Sequence, residues 1–140
     1  MSAEFVDVTA IDPQGDADAG FELQLHHPDN VDQKLDIWVT VTGQDGTAFT
    51  TTQTAQRRRA IEEAVNPDGP VVDPETDDEK ADRQYLELAV ACTKGWRGMG
   101  WEGQALEFNP RNAAMIYQQR RWIRNQVENA VLRRANFKRG

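Results

Sequence analysis

The first half of the chain alternates between apolar and polar residues in two short runs. Residues 21–25 read Phe-Glu-Leu-Gln-Leu, and residues 35–41 read Leu-Asp-Ile-Trp-Val-Thr-Val. Strict alternation places every second side chain on the same face, which is typical of a half-buried strand. A glycine-containing turn then leads into a threonine-rich run at 47–52, which contains Phe49. The pattern predicts an antiparallel β-meander over 21–51, with the threonine-rich run as its third strand.

The second half repeats apolar residues with the period of an α-helix. Residues 53–65 and 78–93 are rich in helix formers, and an Asp at 77 or 78 followed by acidic residues favours the start of the second helix. Gly95 occupies the usual terminating position. Asn109 and Pro110 favour the N-cap and first turn of a last helix over 110–136. The predicted apolar stripes are Ala81, Tyr85, Leu88 and Cys92 in the second helix, and Ile116, Ile123, Val127, Ala130 and Val131 in the last.

The segment 95–108 interleaves four glycines with large apolar side chains. Glycine permits tight turns, and aromatic side chains gain free energy when they are buried. We expect a compact loop in which Trp96, Trp101 and Phe108 anchor the segment against the last helices.

Two segments carry little apolar surface. Residues 1–19 are acidic and contain the loop-like run DPQGDADAG, which predicts a flexible N-terminal segment. Residues 66–78 hold three prolines and five acidic residues, which predicts a mobile linker. The sequence therefore indicates an α+β fold in a single domain over 20–140. A small N-terminal β-meander is followed by about three helices, of which the last is long and basic.

Charge is distributed unevenly along the chain. The net charge is −7, yet residues 1–46 hold ten acidic residues and one basic residue, whereas residues 111–140 hold eight basic residues and one acidic residue. The basic end has three interpretations: it folds back on the acidic half of its own chain, it meets an acidic protein, or it meets nucleic acid. An acidic body repels phosphate at long range, which disfavours nucleic acid.

The residues that commonly carry catalysis or metal binding are sparse. His26 and His27 are adjacent at a predicted strand end, without the spacing of a zinc site. Cys92 lies on a predicted apolar stripe, which favours a buried structural thiol over a nucleophile. The acidic run at 12–18 lacks the bidentate glutamate of a calcium loop. Phosphate-loop and hydrolase motifs do not occur in the sequence. These observations predict a protein that is not an enzyme and has no cofactor.

The compartment follows from similar arguments. The longest apolar run is far shorter than the roughly 20 residues of a membrane span, and the acidic N-terminus does not resemble a signal peptide. A single cysteine excludes an internal disulfide. We therefore expect a cytoplasmic protein without a membrane partner.

The order of these parts resembles that of the small tail assembly chaperones of long-tailed bacteriophages and prophages. In this family a hairpin of the form "v.G.D…f" precedes a glycine- and tryptophan-containing turn and a C-terminal helix. The matching residues here are Leu35 to Val41, Gly43 to Gly46, Phe49, Thr93 to Trp96, Ala105 to Phe108, Asn109 to Ala113, Trp122-Ile123, Gln126-Val127 and Asn136-Phe137. The resemblance covers roughly residues 20–138.

The resemblance implies a non-enzymatic role in the cytoplasm of the infected host. Such chaperones bind the long helical tape-measure protein, help recruit tail-tube subunits, and are usually absent from the mature virion; a homo-oligomer is compatible with this role. Two alternatives stay open: a structural virion protein such as a tail-completion or head–tail connector subunit, and a small nucleic-acid-binding regulator. The candidate partner-binding residues are Trp96, Trp101, Phe108, Arg120, Arg121, Trp122 and Arg124.

Overall fold

The computed structural model describes residues 5–66 and 75–138, which form a mixed α+β fold. The helices are α1 (Pro13–Ala19), α2 (Thr47–Val65), α3 (Asp77–Cys92), α4 (Pro110–Gln119) and α5 (Arg121–Leu132). The strands are β1 (Phe21–His27), β2 (Asn30–Val41), β3 (Thr93–Arg97), β4 (Gly100–Trp101) and β5 (Gln104–Ala105). Short 3-10 turns occupy Val8–Ala10 and Arg134–Phe137. The α+β prediction is confirmed, and the described residues contain more helices than the three expected.

The main sheet is antiparallel, with the strand order β1-β2-β3. Its register aligns Leu23 with Val39 and Val39 with Trp96, so that these side chains share one face. That face is buried, because Val39 is fully covered and the other two pack against the core. The hairpin of the first two strands was therefore predicted correctly, and its apolar face lies on the core.

The prediction for the third strand was wrong. The threonine-rich run at 47–52 is the first part of α2, and the third strand is β3, which follows α3. The carboxylate of Asp18 explains the helix start, because it accepts hydrogen bonds from the backbone N–H of Thr47 (2.6 Å) and from its hydroxyl (2.8 Å). The capping residue belongs to α1 and lies 29 residues earlier in the chain, so the sequence around Thr47 does not predict this helix start.

The loop predicted at DPQGDADAG is also corrected, since α1 occupies Pro13–Ala19. Asp12 caps this helix by accepting from the N–H of Gly15 at 3.0 Å, and Pro13 fits its first turn. The buried Ala17 fixes α1 to the body, and its carbonyl accepts from the N–H of Gly43. The preceding residues 5–11 are exposed.

Helix α3 matches its predicted bounds within one residue, but its cap and its buried face differ. The N-cap is Thr76, whose hydroxyl accepts from the N–H of Glu79. Tyr85 is 55% exposed, whereas Ala89 is buried and Leu86 packs against the core. The apolar stripe is thus rotated from the predicted one, although both contain the buried Cys92. Gly95 does not end the helix, because the chain enters β3 at Thr93.

Most of the predicted linker at 66–78 falls on residues 67–74, which lie outside the described residues. The described residues at the C-terminal end of this segment, 75–78, are structured. Glu75 pairs with Arg83 at 3.1 Å, and Asp77 and Asp78 belong to the first turn of α3.

The glycine-rich segment 95–108 forms β3 and the small β4–β5 hairpin instead of an irregular loop. Gly98 has a φ of +81°, and a Cβ atom there would lie 2.0 Å from the carbonyl oxygen of Asp36, so only glycine fits. Trp96 donates its indole N–H to the carbonyl of Leu106 at 2.8 Å. The segment is compact, as predicted, and Trp96, Trp101 and Phe108 all pack against the core.

The long last helix predicted over 110–136 is two helices, which meet at Arg120. Asn109 caps α4 and Pro110 is its first residue, as predicted. The predicted apolar stripe is confirmed, since all of its members are buried: Ile116, Ile123, Val127, Ala130 and Val131. Local sequence thus predicted the buried face but not the break.

Candidate partner-binding groove

An open apolar groove lies along the seam between α3 and α4. Its floor is built from small and apolar side chains of both helices and from the end of the glycine-rich segment, and its volume is about 510 Å³. The apolar lining residues are Leu86, Val90, Ala91, Phe108, Pro110 and Ala114. Because alanines from both helices line the seam, apolar surface remains accessible there. Such a shape suits a partner's apolar side chains.

A second depression of about 640 Å³ continues the groove toward the N-terminus of α3. The two depressions share Arg83 and Leu86. The second is more polar than the first, and Asp78, Glu79 and Arg121 contribute to its walls. Their lining residues on α3 extend from Asp78 to Ala91, a length of about 20 Å. The combined surface, here called the α3–α4 groove, is long enough for about four turns of a partner helix.

The rim of the groove is held by ion pairs. Arg83 contacts Glu75 at 3.1 Å and Glu87 at 2.9 Å, and Arg59 of α2 reaches Glu87 at 3.4 Å. The hydrogen bond that Arg83 donates to the carboxylate of Glu75 is the main reason why the pKa of Arg83 is raised. These pairs are partly exposed, so each contributes modestly to stability. Their effect is to fix the charged side chains beside the apolar floor.

The predicted aromatic residues occupy different places around this groove. Phe108 lines it directly, and Trp96 supports Phe108 through an edge-to-face contact with ring centroids 5.1 Å apart. Trp101 is half-buried, and the guanidinium of Arg120 lies 4.9 Å from its ring centroid. Trp122 packs against the core. Of these aromatic residues, only Phe108 presents its surface to the groove.

The predicted arginines are largely engaged with the chain's own carboxylates. Arg124 is only 5% exposed and binds Asp82 at 2.9 Å and Glu128 at 2.7 Å. Burial alone would lower the pKa of Arg124, but the hydrogen bonds to these carboxylates outweigh it and the pKa is raised. Arg121 reaches Asp82 at 3.3 Å.

A further arginine near the chain's end behaves in the same way, since Arg134 donates to Asp45. Of these three arginines, only Arg134 folds back on the acidic residues 1–46, because Arg121 and Arg124 pair with Asp82 of α3. These contacts leave less positive charge free for a phosphate backbone.

Residues on α3 and α4 that sequence reasoning did not single out make up most of the groove. Leu86 and Val90 stand four residues apart, and both are half-buried. They lie outside the predicted stripe, which ran through Tyr85 and Leu88. A second set of apolar residues at helical spacing, beside the first, is the signal that could have located the groove.

Other candidate chemical groups have structural partners. Burial raises the pKa of the Cys92 thiol, so the reactive thiolate is disfavoured. The backbone N–H and C=O of His26 are both bonded to the side-chain amide of Gln126, which joins α5 to β1. Within residues 5–66 and 75–138, no group of three or more His, Cys, Asp or Glu side chains is arranged to hold a metal ion.

Comparisons with known proteins found no relative of this chain. No protein-family model matches the chain, and no curated protein or solved structure is detectably similar to it. Among the described helices, none is both long and apolar enough to cross a membrane.

The contact between Asp82 and Arg124 predicts a loss of stability in acid. The hydrogen bond from Arg124 holds the pKa of Asp82 below its ordinary value of 3.8. A carboxyl whose pKa is lower in the folded state stabilises the fold above its unfolded pKa, and this contribution disappears as the pH falls through the folded value. We expect urea midpoints of the wild type to fall between pH 5 and about pH 3 by more than those of Asp82→Asn. Equal pH dependence in the two proteins would contradict this role.

Proposed function

We propose that this chain is a non-enzymatic assembly chaperone of a long-tailed bacteriophage or prophage, which binds an amphipathic helix of the tape-measure protein in the α3–α4 groove. The observation that carries the proposal is the apolar floor of Leu86, Val90 and Phe108, which lies open between charged rims. Binding of amphipathic helices in apolar grooves is a recurring mode of peptide recognition. A chaperone of this kind keeps the apolar surface of its partner out of water until assembly.

The length and charge of the groove support this assignment. About four helical turns fit along α3, which is enough for the apolar anchors that such partners use at i, i+3, i+4 and i+7. The rim offers Lys94 near the apolar end and Asp78 and Glu79 at the other. Charges of both signs at a rim set orientation and partner choice more than affinity.

The cellular role follows from the resemblance noted in the sequence. The chaperone would act in the cytoplasm of the infected host, assist the tail-tube subunits, and leave before the virion is complete. The gene for its partner would be a very long one directly downstream. Co-expression with that long helical protein, followed by affinity capture, tests the proposal directly.

A matched pair of substitutions makes the capture experiment specific. Ala91→Arg places a long side chain in the groove without removing an apolar core residue, and arginine is a good helix former. Ala81→Arg makes the same change at an exposed position of α3 that does not line the groove. We expect Ala91→Arg to weaken capture at least about tenfold, as loss of a central contact does. Ala81→Arg should bind like the wild type.

Other outcomes would redirect the assignment. Capture that Ala91→Arg leaves unchanged would place the partner on another surface. Detection of the protein by mass spectrometry in purified virions would favour a tail-completion or connector subunit. A gel shift that is strong at ~50 mM salt and lost at ~200 mM salt would favour the nucleic-acid regulator.

A further inference from the structure

The joint between α4 and α5 lacks the residues that normally end one helix and begin the next. Residues 111–139 contain neither glycine nor proline, so the C-terminus of α4 has no glycine cap and the break has no proline. Arg120 stands at the N-cap of α5, where Ser, Thr, Asp or Asn is preferred, and its own side chain does not cap that helix. Locally, the sequence specifies one continuous helix.

The charges at the joint support the same conclusion. Arg121 and Arg124 lie in the first turn of α5, and Arg120 precedes them. The N-terminus of a helix carries a partial positive charge, so three arginines there are unfavourable. In a continuous helix from Pro110 to Leu132 these arginines would stand in the middle, away from either end of the dipole.

The break is maintained by interactions within the folded chain. The backbone of Arg120 is non-helical, with φ −129° and ψ 84°, and its carbonyl accepts from the N–H groups of Ile123 and Arg124. Its guanidinium lies over Trp101 and also donates to the carbonyl of Gln119. The bend returns α5 to the core, where Ile123 and Val127 are buried. Tertiary packing thus opposes a strong local preference for a straight helix.

A second copy of the chain resolves this conflict without loss of core contacts. If the helix straightens at Arg120, α5 and the following 3-10 turn leave their own body and can fill the same site in another copy. Each body then receives the same buried side chains and the same Arg124–Asp82 contact. In the straight helix, the N–H groups of Arg121 and Trp122 donate to the carbonyls of Tyr117 and Gln118. These are backbone hydrogen bonds that the break omits.

We infer that this chain forms a domain-swapped dimer in which Arg120 is the hinge and residues 121–137 exchange between two copies. The occupant of each α5 site is the second copy, because its α5 is complementary to that site in shape and charge. The inference does not require the proposed tape-measure partner, since Arg121 is the only lining residue of the α3–α4 groove that belongs to the exchanged segment.

Proline at position 121 is compatible with the broken helix of the single chain but not with the continuous helix of the swapped dimer. Position 121 is the first residue of α5, where proline is tolerated, and the backbone of Arg120 already lies outside the α region that a following proline disfavours. In the continuous helix the same proline would clash with the carbonyl of Tyr117. Arg121→Ala is the matched control, because it also removes the contact with Asp82 but favours a helix.

The measurement is molar mass by light scattering after unfolding and refolding at high protein concentration. Wild type and Arg121→Ala should dimerise, and Arg121→Pro should have a dimer dissociation constant at least about a hundredfold higher. A monomeric wild type at every concentration would overturn the inference. So would a dimer that Arg121→Pro forms equally well, because that dimer would use another surface.

A second pair guards against a proline variant that fails to fold. Arg120→Ala and Arg120→Gly both remove the contact with Trp101, but alanine favours and glycine disfavours the continuous helix. We expect Arg120→Ala to dimerise at least about tenfold more tightly than Arg120→Gly, because the dimer contains two such helices. Equal dimerisation by this pair would contradict the hinge.

Exchange between copies has its own signature. Asp82→Arg and Arg124→Asp each disrupt their ion pair within one chain, but a swapped heterodimer of the two variants restores an opposite-charge pair in both bodies. We expect the mixture to refold into a 1:1 dimer that melts at least about 5 °C above either variant alone. A mixture that melts like its components would rule out the exchange.

Discussion

Arg124→Ala is expected to destabilise the fold more than any other removal of a single charge among the described residues. The guanidinium is 5% exposed and contacts Asp82 through both its carboxylate (2.9 Å) and its backbone carbonyl (3.1 Å), besides the carboxylate of Glu128. Removal of one partner of a buried ion pair typically costs about 3–5 kcal/mol. Because Asp82 is half-exposed and can be hydrated, we expect about 3 kcal/mol, or about 10 °C in the melting temperature.

Arg121→Ala provides the control for this prediction. Arg121 also pairs with Asp82, but its side chain is 69% exposed and the contact is longer, at 3.3 Å. Exposed ion pairs contribute up to about 1 kcal/mol. The melting temperature of this variant should therefore move by no more than about 3 °C. Similar losses in Arg121→Ala and Arg124→Ala would show that the burial of Arg124 does not matter.

Those parts of the fold whose signals are local were predictable from the sequence. The alternation in β1 and β2 defined the hairpin and its buried face, and the Asn109-Pro110 pair defined the start of α4. The apolar residues of α5 repeat at helical spacing, and they are buried as expected. In each case one short segment contains all the information that its structure requires.

The errors occurred where distant residues decide the outcome. The threonine-rich run has β-branched residues that favour a strand, yet Asp18 caps it as a helix. Thr93 to Arg97 has no alternating pattern, but it pairs with the free edge of β2 and becomes a strand. The break at Arg120 has no local signal at all. The α3–α4 groove was missed for the same reason, because it exists only once two helices pack.

Of the predicted partner-binding residues, only Phe108 and Arg121 line the α3–α4 groove. Large aromatic and basic side chains were the obvious candidates for partner binding, but Arg124 and Trp96 stabilise the fold through contacts within the chain. The open surface is made instead by smaller residues such as Ala91 and Ala114, which have no distinctive pattern. A groove that can hold a partner helix consists of apolar surface that the neighbouring side chains leave uncovered.

Tyr117→Ala is expected to have the largest effect on stability of the substitutions considered. The side chain is fully buried at the centre of the core, and loss of a buried aromatic ring costs about 3–5 kcal/mol. Its hydroxyl lies 2.7 Å from that of Thr93, which in turn donates to the carbonyl of Ala89. Tyr117 is therefore the donor in the first contact, and it ties α4 to the corner between α3 and β3.

Conservative variants separate the ring from its hydroxyl. Tyr117→Phe removes one hydrogen bond and should cost about 1 kcal/mol, whereas Thr93→Val leaves the buried phenol without an acceptor and should cost more. The double variant removes both polar groups, so its destabilisation should be smaller than the sum of the two single losses. Simple additivity in chemical denaturation would contradict the hydrogen bond.

The same residue predicts a loss of stability in alkali. Burial raises the pKa of Tyr117 from 10.0 to about 12, and the nearby hydroxyl of Thr93 offsets only part of this rise. The unfolded chain therefore releases the phenol proton before the folded chain does, and the contribution of the neutral phenol is lost as the pH rises from 10 toward 12. Tyr117→Phe lacks this group, so its denaturation midpoint should fall less between pH 9 and pH 11 than that of the wild type. Parallel declines in the two proteins would show that Tyr117 ionises as readily in the folded chain as in the unfolded one.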